Sequence, residues 1–204
     1  MEDFKDCRGF ARALPPAVLV VNDAGRRADP VNVERLLAAG LRVLAADPFY
    51  FGESAMKSHD YLFPLLIATV GERTLGIQVS QVAAVARWSY AEHKNEAVGV
   101  VAVGPRMSTI ALVAAGLEEK AIGRLELHGS LGSLKEIVEQ NRSFEQMPEL
   151  FCFGLLEAFD IKQLTALAAP RPVTFVQASA RAQEELAGLK TWYSTLGVDF
   201  QPLR

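Results

Sequence analysis

Chemistry on a protein chain needs ligands, phosphate cradles or nucleophiles, and this sequence supplies few of them. Its histidines are His59, His93 and His128 and its cysteines Cys7 and Cys152. No two of these stand at a spacing that would close on a metal ion, and no H-x-x-x-H occurs, so no metal site is expected. No G-x-G-x-x-G follows an apolar run and no G-x-x-x-x-G-K-[ST] is present. Both glycine-rich phosphate devices are therefore missing, and no cofactor is expected. What remains is a turn. Val98 to Val103 is a β-branched run, followed by Gly104-Pro105-Arg106-Met107-Ser108 and an apolar helical stretch. Small residues two before and two after a central position, between a strand and a helix, are what a nucleophile elbow requires. The central residue here is Arg106, whose guanidinium is always protonated and cannot attack a carbonyl.

Other residues compete for a role around that turn. Ser108 is a relocated nucleophile or simply the small residue that lets helix and strand approach. His128, in His128-Gly129-Ser130, ends an apolar run; it is a proton-transfer group working with Ser130 or a hydrogen-bonded turn residue. Asp23 and Asp47 follow apolar runs and face the same edge, although Asp47 could equally order the Pro48 turn. Phe49, Tyr50 and Phe51 line a ligand pocket or pack against a neighbouring lobe. Arg106 is expected to pair with a carboxylate from Asp23, Asp47 or Glu53, and to hold a strained backbone as the price of the tight turn.

The elements that must position these residues can be read from periodicity. Ala17 to Val21, Leu41 to Ala46, Ala97 to Val103, Ile122 to Leu127 and Pro172 to Val176 read as strands, with Val198-Asp199-Phe200 a short sixth. Between them lie helical stretches. Asp29-Pro30 opens one and Gly40 closes it; Leu75 to Tyr90 is a second; Met107 to Ala115 a third. Ser133 to Glu136 and Asp160 to Gln163 carry capping-box signals, and Leu186, Leu189, Tyr193 and Leu196 form the last amphipathic face. Phe49 to His59 reads as a long loop. Alternating strands and helices of this kind predict an α/β fold: a three-layer α/β/α sandwich on a mostly parallel sheet of about six strands. Ligands of such sheets sit at the carboxyl ends of the strands, which selects the loops beginning at Asn22, Asp47, Gly104, His128 and Gln177.

Composition agrees with one globular domain over residues 1–204. Half of the chain (50%) is hydrophobic and 22% is charged, with 15 Gly and 10 Pro. That is ordinary globular usage, and it excludes disorder, collagen and coiled coil. A net charge of −3 gives no basic footprint for nucleic acid or an acidic membrane. No apolar run is long enough to span a bilayer. Met1 to Arg8 is charged and lacks an apolar signal core, so a cytoplasmic location is expected.

Several runs together resemble a known family. They are the elbow at Val98 to Ala115, Asp47-Pro48-Phe49-Tyr50-Phe51-Gly52-Glu53-Ser54, Glu149-Leu150-Phe151-Cys152-Phe153-Gly154, Phe159-Asp160-Ile161 and Ala169-Pro170-Arg171-Pro172-Val173. They are similar to α/β-hydrolases of the acetyl xylan esterase and dienelactone hydrolase-like group, over roughly Ala17 to Phe200, and most like a C-terminal hydrolase-like lobe of larger two-lobed bacterial esterase-like proteins. The resemblance implies a serine at position 106, an acid after Val173 to Val176 and a histidine after the last strand. The chain has Arg106, the carboxylate-free Gln177-Ala178-Ser179-Ala180, and no histidine after His128. The oxyanion loop would be Asn22-Asp23-Ala24-Gly25. A truncated hydrolase fold without an intact Ser-His-Asp triad is therefore expected, acting as a structural or binding lobe. The alternative is a small carboxylic-ester hydrolase, acetyl esterase-like, using Ser108 or Ser130 with His128; a third reading is a module that binds a carbohydrate or small ester ligand through Phe49 to Phe51. With the family's first two strands absent, Leu41 to Ala46 should be a sheet edge, and a homodimer or partner lobe is expected there.

Overall fold

A computed structural model describes residues 16–56 and 62–203. Five strands form one sheet: β1 (Ala17–Asn22), β2 (Arg42–Ala45), β3 (Val98–Val103), β4 (Ile122–His128) and β5 (Val173–Val176). Their order is β2-β1-β3-β4-β5 and every pairing is parallel. The α/β class is as the sequence predicts. The sixth strand is not: residues 198–200 are not extended into the sheet, and only an isolated bridge from Phe175 to Leu203 continues it. Gly197, at a φ of 78°, turns the chain just before, so pairing begins later than the apolar pattern suggests.

Alternation along the strands separates two cores. Ala17, Leu19 and Val21 face a large cluster, while Val18 and Val20 face a small one built on Leu36 and Val101. The large cluster is covered by α3 (Thr74–Glu92), α4 (Pro105–Leu117) and α7 (Ile161–Ala168). The small one lies under α1 (Pro30–Ala38). Asp29 caps α1 by accepting the Asn32 N–H at 3.2 Å, and Gly40 ends it at a φ of 76°, as the Asp29-Pro30 and Gly40 signals predict. On β4 the residues turned away from the main core are Arg124, Glu126 and His128, so the second face of this strand is polar. The near-continuous burial expected of a central parallel strand holds for β1 and β3 but not for β4.

Two helical segments depart from expectation. Helix α2 (Leu62–Thr69) follows a stretch read as loop. Its Leu62, Leu65 and Leu66 are exposed, so no one-sided apolar stripe marks it in the sequence. The last helical region divides into α8 (Ala180–Glu185) and α9 (Leu189–Thr195). Between α4 and α7 lie α5 (Lys135–Glu139) and the single turn α6 (Leu155–Ala158). Asp160 satisfies both neighbouring helix starts: its carboxylate accepts the N–H of Leu134 at 2.6 Å and of Ile161 at 2.7 Å, while its own N–H donates to Gln163 Oε1 at 3.1 Å in the capping box predicted for α7. At the other box Glu136 reaches back to the N–H groups of Gly132 and Ser133.

Candidate functional site

The carboxyl ends of β1 and β3 bring Asp23 and Arg106 together. Asn22 ends β1 with its side-chain oxygen accepting the Ala24 N–H at 2.8 Å, and the Asp23 N–H donates to the Val103 carbonyl at 2.9 Å. This Asx turn swings the Asp23 side chain over the start of α4. There Gly104 takes a φ of 99° and ψ of 159°, a region closed to residues with a Cβ. Pro105 follows at the first helical position, where its missing N–H is no loss. The free N–H groups of the first turn then point at Asp23: Met107 donates to its carboxylate at 2.7 Å and Arg106 at 3.1 Å.

The Arg106 side chain does not reach Asp23, Asp47 or Glu53. Its Nε and Nη2 grip the Glu149 carboxylate as a two-bond fork, Nη2 to Oε2 being 2.8 Å, and its guanidinium carbon lies 4.2 Å from the centre of the Phe51 ring. The Glu149 side chain is completely buried in a single 3₁₀ turn at Pro148–Leu150. The expectation of a carboxylate partner holds; the carboxylate is a different one. The strained backbone expected at Arg106 is absent, because it is not among the non-glycine residues of positive φ. Gly104 absorbs the sharp turn, so Arg106 sits in the first turn of an ordinary helix.

Burial governs the electrostatics. It pushes the Asp23 carboxyl up from the usual carboxylate range to about 6, against the opposing pull of the Met107 and Arg106 N–H groups. Burial by itself would weaken the Arg106 cation, but the hydrogen bond and charge of Glu149 outweigh it and hold its pKa above the ordinary arginine value. A cavity of about 300 Å³ opens above this cluster, lined by Asp23, Tyr50, Phe51, Met56, Arg106 and Glu145 among others.

Asp47 takes the turn-ordering role. It accepts the N–H of Arg26 at 2.6 Å and of Glu53 at 3.0 Å, tying the loop after β1 to the loop after β2. The two loops touch so closely that a Cβ on Gly25 would lie 2.6 Å from the Gly52 Cα. Phe49 is held by α3, its N–H donating to Gln81 at 2.6 Å and its carbonyl accepting from Gln78 at 3.1 Å. Its ring packs on Tyr50 and Phe63 at centroid distances of 5.7 Å. Tyr50 sits at a φ of 77° with its ring buried beside the cavity.

The serine and histidine candidates are not brought into one hydrogen-bonded set. Ser108 is fully buried within α4 and its hydroxyl has no hydrogen-bond partner among the described residues. The Ser130 hydroxyl donates to the Leu131 carbonyl at 3.0 Å. His128 Nε2 lies 2.7 Å from Glu126, which also accepts from Arg35 at 2.5 Å; the histidine bond, first among the causes, lowers the Glu126 pKa. No group of three or more His, Cys, Asp or Glu able to hold a metal occurs among the described residues. Cys7 and His59 lie outside them. Glu149 is the residue that sequence reasoning missed. It stands in the quoted Glu149-to-Gly154 run, but nothing local connects it to position 106.

No protein-family model matches this sequence, and no curated protein matches it. Solved structures do match, at low identity. A candidate acetyl xylan esterase from Bacteroides fragilis is 17% identical with a TM-score of 0.73, covering 92% of this chain and 59% of its own. A glucuronoyl esterase from Solibacter usitatus is 14% identical (TM-score 0.60; 92% of this chain, 64% of its own). A promiscuous CE15 esterase from a marine bacterial metagenome is 15% identical (TM-score 0.61; 93% and 64%). The chain thus spans about three fifths of the length of these neighbours. Sheet order, elbow position and these matches agree on one conclusion: the chain has the α/β-hydrolase fold found in esterases.

Proposed function

We propose that this chain is a non-catalytic, binding or structural lobe of an esterase-like protein, in which the turn that would carry a nucleophile has become a clasp. One observation carries the reading. The Asp23 carboxylate occupies the N–H groups of Arg106 and Met107, while Glu149 occupies the Arg106 guanidinium. Acyl transfer needs such donors free, aimed at the oxygen on which charge develops, and a nucleophile with a lone pair beside them. A resident carboxylate repels a second anion from that place. Arg106 supplies no nucleophile, and Ser108 points its hydroxyl into the core.

A binding role is supported by the cavity over Tyr50 and Phe51. Asp23 and Glu145 outnumber Arg106, the one cation among the described lining residues and already paired with the buried Glu149, which favours a neutral ligand such as a sugar or an uncharged ester over an acid. The test is hydrolysis of p-nitrophenyl acetate, with a parallel titration by xylo-oligosaccharides. Cleavage no faster than in buffer is expected. Turnover that disappears in Ser108→Ala or Ser130→Ala overturns the proposal in favour of a small carboxylic-ester hydrolase. A saturable sugar titration assigns the binding role, and a flat one the structural role.

A further inference from the structure

We infer that the open edge of β2 pairs with the same edge of a second copy of this chain, antiparallel about a two-fold axis at Leu44. The backbone comes first. Arg42 and Ala46 donate their N–H groups inward to the carbonyls of Pro16 and Val20 on β1, so strand alternation turns the N–H and C=O of Val43 and Ala45 outward. No described strand lies beyond them. Facing antiparallel, Val43 of each copy meets Ala45 of the other and exchanges two hydrogen bonds, four in all. Leu44 then faces Leu44 as the intervening closely spaced pair.

Edges left open are normally blunted by an outward charge, a proline or a bulge. This one carries none of these. Its one charged residue, Arg42, is turned against His93, the residue that caps the end of α3, with Nη1 to Nδ1 at 2.8 Å. Both flanks of the edge are largely uncharged instead, Asp47 of the neighbouring turn being engaged with Arg26 and Glu53. On the α3 side Gln81, Ala84, Val85 and Trp88 form an uncharged stripe at helical spacing. It borders a cavity of about 400 Å³ that reaches Leu19 and Ala46, and Trp88 is 54% exposed. On the α1 side Leu37, 55% exposed, lies on the flank opposite Arg35.

The occupant follows from symmetry. A two-fold axis normal to the sheet sets α3 beside α3 and α1 beside α1, so the patch must complement itself. An uncharged α3 stripe and an apolar α1 flank do so, where a charged flank would repel its copy. Four hydrogen bonds alone make a small contact, and a stable interface buries on the order of 1,200 Å² or more. Trp88 and Leu37 must therefore contribute, which makes them test positions.

The measurement is light-scattering mass after gel filtration, from low to high micromolar protein. Twice the 22.2 kDa chain mass is expected at high concentration, falling on dilution. Ala45→Pro removes an outward N–H that β1 does not use, a position where an edge strand tolerates proline. Trp88→Glu places like charges face to face. Each should weaken the dimer at least about tenfold, some 1.4 kcal/mol, with an unchanged circular dichroism spectrum. Leu167→Glu, on an exposed position of α7, should leave it intact. A monomer at every concentration overturns the inference, as does a dimer indifferent to both Ala45→Pro and Trp88→Glu.

Discussion

The Asp23 carboxylate lies 2.7 Å from the Met107 N–H, on the first turn of the helix that follows the elbow. A negative group belongs at a helix N-terminus, where the macrodipole and unpaired N–H groups favour it. Yet burial dominates those bonds and raises the Asp23 pKa to about 6. The folded chain therefore holds the Asp23 proton more tightly than the unfolded chain does. Between the unfolded value near 3.8 and the folded value near 6, the folded state binds more protons, so this group's contribution to stability falls as pH rises. The full difference is roughly 3 kcal/mol at about 1.4 kcal/mol per pKa unit. Urea titrations at pH 4 and pH 7 should show the Asp23→Asn variant gaining on the parent by most of that amount at the higher pH. Parallel curves would show that Asp23 ionises as freely in the fold as out of it.

Arg106 and Glu149 form a pair whose carboxylate is wholly buried. Removing one partner strands the other charge away from water, which costs about 3–5 kcal/mol. Glu149→Leu and Arg106→Met alone should each lose that much. Arg106→Met with Glu149→Leu should recover most of it, because an apolar pair of similar volume carries no desolvation penalty. Denaturant midpoints of the four proteins measure the cycle, and additive losses would show that the fork contributes nothing as a unit.

Arg171 closes the far end of α4. Its Nη2 donates to Ala115 O at 2.5 Å, Nη1 to Glu118 O at 2.7 Å, and Nε to Ala168 O at 2.9 Å. One planar fork thus satisfies carbonyls at the ends of both α4 and α7, which no other residue type could span. Arg171→Met should cost roughly 2–4 kcal/mol, since buried carbonyls lose charged donors. Arg171→Lys should recover a minority of it. Thermal melts of the two variants decide; equal and small losses would place these carbonyls in contact with water.

The parts legible in the sequence were those governed by neighbours along the chain. Asp29-Pro30, Gly104-Pro105 and Asp160 each announce a helix start through residues within a turn of one another. The clasp was only half legible. Gly104 showed that the turn was sharp, but not that glycine would take all of its strain and leave Arg106 helical. The partner of Arg106 lies 43 residues onward in a 3₁₀ turn with no period to place it, whereas element order alone puts Asp47 and Glu53 at the same sheet edge as Arg106. Those two carboxylates are engaged with Arg26 and each other's loop. Helix α2 likewise carries no periodic signal, because its Leu62, Leu65 and Leu66 are all exposed and no apolar stripe marks one side.

Gly104 and Asp23 are in contact across the clasp. A Cβ at position 104 would lie 2.3 Å from the Asp23 carboxyl carbon, and the backbone there has a φ of 99°. Two costs are therefore superposed in Gly104→Ala. Holding a non-glycine residue in that region costs about 1–3 kcal/mol wherever it occurs. The collision with the Asp23 carboxyl is separate, and Asp23→Ala relieves that part of it, leaving only the Asp23 Cβ at 2.8 Å. Gly104→Ala should thus destabilise the parent by more than it destabilises the Asp23→Ala variant, with a coupling of about 0.5–3 kcal/mol between contacting positions. Urea unfolding of the two single variants and the double variant measures it. Equal losses in both backgrounds would mean that Asp23 yields freely and that the helix terminus does not hold it in place.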